Sequence, residues 1–237
     1  MLFPVPIVSL GNSISFLISA LIAWRLCYCY RKEKNIEIRS FFFTFSALTV
    51  FFFFAAVPGI LSKDPLLLAF FNLITFPLAQ IGAYFFTLIP LNLYHAKRLQ
   101  LAYTVLFFVV LTVSIVYRIL GFGPLQEVRQ GNLAFWLRPE NPAMELSFIL
   151  SGVLLLISLG LAGFVFMLYA FHNRNNRFLF LRSLLLGIGV VLLGVVGALN
   201  YIIGSTPSIG SQIGSSILAA FALLVMALGI FLKRDPT

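Results

Sequence analysis

The fold class this sequence predicts is an all-α membrane protein, a seven-transmembrane helix bundle, and three observations predict it. Apolar residues make up 61% of the 237 positions and charged residues only 10%. A typical soluble domain is about half apolar and about a quarter charged. The mean hydropathy is +1.04. Seven apolar runs each reach the roughly 20 residues that span a bilayer as a helix. Together these exclude an ordinary soluble domain, a disordered chain and a disulfide scaffold. They point to a single domain over residues 1–237.

The first run, 7–30, follows Met-Leu-Phe-Pro-Val-Pro, which carries no basic residue. It is too long for a signal-peptide core and lacks a clear cleavage site, so it reads as a retained spanning helix. Cys27 and Cys29 fall near its end. Positions two apart on a helix point away from each other, so a disulfide between them is not expected. They read as small packing residues, with S-palmitoylation as the alternative. The second run, 40–61, holds the phenylalanine stretches 41–43 and 51–54. A helix apolar all round faces lipid and neighbours without needing a site. The third run, 66–94, is long and contains Pro77 and Pro90, which break the helical hydrogen-bond ladder. The fourth spans 101–122.

Segment 123–143 is the one long connection. Gln130-Gly131-Asn132 is a turn signal between two β-compatible stretches, so a small extracellular hairpin is expected there. Phe135 and Trp136 read as interfacial anchors at headgroup level; a lid over an outward cavity is the alternative. The fifth run covers 144–171, the sixth 178–203 and the seventh 210–232. The sixth carries Gly187, Gly189, Gly194 and Gly197. The seventh opens with Gly210 and Gly214. Small faces let helix backbones approach, so close packing of the sixth on the seventh is expected, with a homo-oligomer face as the other use.

Charge sets the orientation. Twelve of the 16 Lys and Arg lie on one side: 25, 31, 32, 34, 39, 97, 98, 174, 177, 182, 233 and 234. The other side has 63, 118, 129 and 138. By the positive-inside rule the N-terminus faces out and the C-terminus faces the cytoplasm. The net charge of +9 then suits anionic headgroups of membrane lipids. No basic patch on a folded face points to nucleic acid.

The predicted interior is nearly free of ionisable groups. No Asp or Glu falls in a helix core, and Glu145 begins the fifth helix. His95 and His172 sit at helix ends, too shallow and too isolated for haem or a metal. Serines such as Ser147, Ser151, Ser215 and Ser216 have no nearby base to make one a nucleophile. No enzyme activity and no cofactor are therefore expected. The uncharged polar residues carry more. Asn12, Asn72, Gln80, Asn200 and Gln212 fall mostly in the outer half, and Tyr84 shares a helix face with Gln80. Arg118, near the outer end of the fourth helix, snorkels outward or turns inward. These seven are the candidate ligand-binding residues. The alternative is that they make ordinary helix–helix hydrogen bonds.

An internal echo adds to this. Shifted by 143 residues, Arg31, Lys34, Arg39 and Ser40 meet Arg174, Arg177, Arg182 and Ser183. Two parallel three-helix units, 7–98 and 144–234, joined by helix 101–122, would produce that pattern; charge placement at helix ends produces part of it alone. Lysines fall only at 32, 34, 63, 97 and 233, so no Schiff-base lysine of the microbial-rhodopsin kind stands inside the seventh helix. Asn92-Leu93-Tyr94-His95 replaces the Asp-Arg-Tyr of hormone-type receptors. No Pro-Gln pair of the PQ-loop transporters occurs. The short basic first loop, 31–39, and the compact size resemble the seven-transmembrane sensory region at the N-terminus of bacterial histidine kinases. The resemblance covers the whole chain as a pattern, without a diagnostic motif. It implies a non-enzymatic sensor in a bacterial-type inner or plasma membrane. A small or lipid-like ligand and a separate cytoplasmic signalling partner would go with it, since no kinase precedes Pro236-Thr237. A facilitative transporter of three-plus-one-plus-three plan and a structural membrane partner are the rivals.

Overall fold

The computed structural model describes residues 5–93, 96–130, 132–201 and 209–232. Seven helices in it are long and apolar enough to cross a membrane, which makes this an integral membrane protein. They are α1 (Ile7–Glu33), α2 (Ile36–Leu61), α3 (Pro65–Leu93), α4 (Lys97–Leu120), α5 (Pro142–His172), α6 (Arg177–Tyr201) and α7 (Ile209–Phe231).

Several helices outrun their apolar stretches by a turn, because polar residues cap them. Asn35 accepts the Glu37 backbone N–H at 2.7 Å and starts α2. Lys34, at φ 48°, closes α1 just before it. Asn141 caps α5 by accepting from Ala143, with Pro142 in the first turn, where its missing N–H costs nothing. Helix α3 runs on through both of its prolines. Tyr94, His95, Gly131, Lys233 and Arg234 lie outside the described residues. His172 is exposed at the end of α5, and the two cysteines are free and half-buried.

Six helices form a closed ring. Helix α1 packs on α2, α2 on α3, α3 on α5, α5 on α6, α6 on α7, and α7 back on α1. Helix α4 stands outside, against α3 and α5 only among these strong contacts. Its outer face, including Leu101, Val105, Phe108 and Ile119, is exposed and suited to lipid. Between α4 and α5, strands β2 (Gln126–Gln130) and β3 (Leu133–Leu137) pair antiparallel. Strand β1 (Val5–Pro6), just before α1, pairs parallel with β3. The Leu125 N–H reaches the Pro65 carbonyl at 3.3 Å, tying the approach to β2 to the start of α3. The resulting sheet, in the order β1-β3-β2, marks one end of the bundle.

The other end is plugged by an apolar core. Ile22 and Leu26 of α1 meet Phe41 and Phe45 of α2, Phe86 of α3, Phe166 of α5, and Leu186 and Leu223 of α6 and α7. The close α6–α7 packing is present, and of the expected glycines Gly189 serves it while the others do not. Gly214 faces open space and Gly210 is exposed. The seam uses Gly189, where an added Cβ would come within 3.0 Å of the Ala222 carbonyl, and Gly229, 3.1 Å from that of Arg182. Gly187, Gly194 and Gly197 face α5 instead.

Candidate functional site

The ring encloses a chamber of about 320 Å³, at the lower end of the range of small-ligand pockets, about 300–1,000 Å³. It runs from the sheet end inward to Thr44, Phe86 and Met226, where the apolar plug begins. Every helix contributes to its wall, α4 by one residue only, Arg118.

Five of the seven candidate residues line this chamber: Asn12, Asn72, Arg118, Asn200 and Gln212. They come from five different helices and gather at the sheet end. Asn12 donates to the Ala55 carbonyl of α2 at 3.5 Å. Asn72 and Asn200 are exposed and Gln212 is half-buried. Neighbouring hydroxyls are held by their own helices. Ser215 donates to the Gln212 carbonyl at 3.0 Å and Thr44 to the Ser40 carbonyl at 3.0 Å, the usual back-bonding of small hydroxyls.

Gln80 and Tyr84 do not line it. They share a face of α3, but that face meets α5 and α4. Gln80 is fully buried and donates to the Ser151 carbonyl at 3.1 Å. Tyr84 shares a 3.1 Å hydrogen bond with Thr104 of α4. Its ring packs on Phe107, with 4.8 Å between centroids. Both side chains serve helix–helix contacts.

Arg118 turns inward. It is only 2% exposed, and Nη1 donates to Asn72 Oδ1 at 3.3 Å. Its guanidinium carbon lies 3.8 Å from the Phe76 ring centroid and 4.2 Å from that of Phe148. Both distances are inside the cation–π range of about 6 Å. Arg138, which follows β3, sits 4.2 Å from the same Phe148 ring. Burial pushes its pKa down from the usual arginine value, and the Glu145 carboxylate works the other way. The side chain keeps its charge, because arginine does not deprotonate in proteins.

Three features of the site escape the sequence reading. Trp136, Leu137 and Arg138 line the chamber, so the segment after β2 covers its sheet end. Trp136 of the expected headgroup pair thus stands at the chamber wall, and the Phe135 side chain lies outside the described residues. Arg138 was legible only as one more loop charge. Helix α2, expected to need no site, presents Phe51, Phe52, Phe54 and Pro58 to the cavity. Among the described residues, no group of three or more His, Cys, Asp or Glu comes together as a metal site.

No protein-family model, curated protein or solved structure matches this chain. The likeness to the histidine-kinase sensory region therefore extends to the seven apolar helices and no further.

Proposed function

We propose that this chain is a non-enzymatic, seven-helix membrane sensor. It would bind a small or lipid-like ligand in the chamber, with the N-terminus and the sheet outside and the C-terminus in the cytoplasm. The observation that carries the reading is the shape of the cavity: polar at one end, apolar in its depth, and closed by the plug of Phe41, Phe45, Phe86 and Phe166. A cavity with a polar end and an apolar depth suits retention of a ligand. The 12-to-4 distribution of basic residues supports the orientation. Ligand binding would favour one of two bundle arrangements and so alter the basic loops at the far end. A cytoplasmic partner or anionic lipid headgroups would meet those loops. A bacterial-type inner or plasma membrane is the setting this implies.

A second reading, a facilitative transporter, draws on the helix neighbours. The contacts α1–α2 and α2–α3 have counterparts in α5–α6 and α6–α7, and α3–α5 has its counterpart in α7–α1. Exchange of the two three-helix units leaves that pattern unchanged, as parallel repeats require.

The test is native mass spectrometry of the purified protein, with Ala79→Phe as the chamber-filling variant. The expected result is a defined co-purified or added small molecule held by wild type and lost from the variant, which still unfolds cooperatively. Retention of no species, and no stabilisation across a ligand screen, would overturn the sensor. Saturable solute flux through reconstituted vesicles would move the transporter ahead.

A further inference from the structure

We infer that the ligand is a single-chain amphiphile, and that the floor of the chamber measures the length of its chain. This rests on the chamber being a ligand site. Three helices give the depth independently. The lining runs from Pro58 to Thr44 on α2, from Asn72 to Phe86 on α3, and from Gln212 to Met226 on α7. Each pair is fourteen residues apart, roughly 21 Å at 1.5 Å per residue. Spread over that depth, the chamber volume of about 320 Å³ gives a mean cross-section of about 15 Å². That admits one alkyl chain and leaves no room for a second chain or a fused-ring body beside it.

The wall changes character along its length. The amides of Asn12, Asn72, Asn200 and Gln212 stand at the sheet end, where they offer donors and acceptors to a polar head. Deeper, Leu48, Phe52, Ala83, Leu159 and Val190 line it. The hydroxyl at the bottom, that of Thr44, donates to the Ser40 carbonyl at 3.0 Å. A compact polar solute at this depth would leave its own groups without partners, which is costly. Methylene groups carry no such cost.

The floor is firm. Phe86 is 1% exposed, and its ring sits between those of Phe41 and Phe166, with centroids 5.8 and 5.7 Å away. Met226 is 2% exposed and packs against Gly189 of α6. Both belong to the apolar plug. From Phe76 to Phe86 the apolar wall rises through ten residues, roughly 15 Å. An extended chain advances roughly 1.2 Å per bond, so about 12–14 carbons reach the floor. Without a floor, each further CH₂ would tighten binding about fourfold. Against one, further carbons must bend or displace Phe86, and overpacking reverses the gain.

The experiment measures displacement of tritiated dodecanoate from the purified protein in digitonin, whose steroid body offers no alkyl chain to compete. The competitors are the n-alkanoates and the 1-alkanols from octyl to octadecyl, and the two-chain didodecanoyl phosphatidylcholine. In both series affinity should climb about fourfold per CH₂ to a maximum at dodecyl or tetradecyl, then fall about tenfold by octadecyl. The two-chain lipid should compete about tenfold more weakly than dodecanoate. Ala83→Leu should move the maximum to shorter chains, and Phe86→Leu and Met226→Ala to longer ones, in both series alike. If the floor variants do not fold, Ala83→Leu carries the test. Affinity that climbs to octadecyl without a maximum, or a maximum that no variant moves, would overturn the ruler and leave the chamber reading intact. Equal binding of the two-chain lipid would overturn the single chain. A wild type that takes up no tracer, yet holds another species lost from Ala79→Phe, would overturn this ligand class alone. Retention of no species at all would overturn the chamber reading with it.

Discussion

Helix α5 meets its two sets of neighbours in opposite ways. One face is stitched by hydrogen bonds. Gln80 of α3 donates to the Ser151 carbonyl at 3.1 Å, and seven residues on, Thr87 donates to the Ser158 carbonyl at 2.9 Å. On the α4 side, Tyr103 donates to Ser158 Oγ at 2.8 Å, and Ser147 to the Ser114 carbonyl at 2.8 Å. The other face is smooth. A Cβ added to Gly163 would lie 3.2 Å from the Gly187 carbonyl of α6, and one added to Gly187 would lie 3.2 Å from the Gly163 carbonyl. Further along, Leu159 and Leu155 cover Gly194 and Gly197.

The difference shows two routes to helix association in one membrane. Lipid gives little hydrophobic drive between helices, so association comes from close packing or from interhelical hydrogen bonds. Bonds fix the register: moving α3 along α5 would break Gln80–Ser151 and Thr87–Ser158 together. Packing of small residues fixes distance more than register. The stitched α3–α4–α5 wall also holds Arg118 and Asn72. The smooth α5–α6 seam adjoins the side of the chamber that carries Asn200 and Gln212. The stitched wall thus presents Arg118 to the chamber, and the opposite side rests on close packing of small residues.

The largest effect comes from breaking the smooth face. Gly163→Leu drives a side chain toward the Gly187 carbonyl and Val191. Overpacking of this kind costs about 1–3 kcal/mol. Thermal unfolding in detergent should show a clear drop, with α5–α6 separation read by spin labels on those helices. An unchanged unfolding temperature would mean the seam is looser than the glycine contacts require.

Breaking a stitch should cost less. Thr87→Val keeps the shape and removes the bond to Ser158. Interhelical hydrogen bonds in membranes average about 0.6 kcal/mol and reach about 1.7. Tyr103→Phe should behave alike. Because both bonds end on Ser158, their double mutant should be non-additive. Strict additivity would show that the α3–α4–α5 contacts do not act as one network.

Gly214→Ala should have the smallest effect, and a favourable one. Nothing lies within 4 Å of the added Cβ. Alanine in a helix interior is better than glycine by roughly 0.5–1 kcal/mol. A stabilised protein would mark this face of α7 as free. Destabilisation, with loss of a dimer band on crosslinking, would mean that Gly210 and Gly214 contact a second copy.

Seven helices were legible because bilayer thickness demands long apolar runs, and those runs stand out in any order of packing. The caps at Asn35 and Asn141 only extended them. Polarity also pointed to the chamber mouth, since Asn12, Asn72, Arg118, Asn200 and Gln212 are costly anywhere else. What stayed hidden depends on which helix stands beside which. Gln80 and Tyr84 look like lumen residues until α5 and α4 take up that face of α3. The phenylalanines of α2 look lipid-facing until the ring closes around them. Trp136 and Arg138 look like loop residues until β3 pairs with β1 and lies across the chamber mouth. Each of these turns on non-local contacts that carry no local sequence mark.

On the proposed reading the chamber, rather than the lipid-facing surface, receives an apolar ligand chain. The most direct measurement is photolabelling in membranes with a fatty acid that carries a diazirine at its chain end, followed by peptide mapping. Labels are expected deep in the chamber, at residues such as Phe52, Phe86 and Met226, suppressed by excess dodecanoate and by Ala79→Phe. Labels confined to lipid-facing positions such as Leu101, Val105 and Phe221, unaffected by competitor, would contradict it.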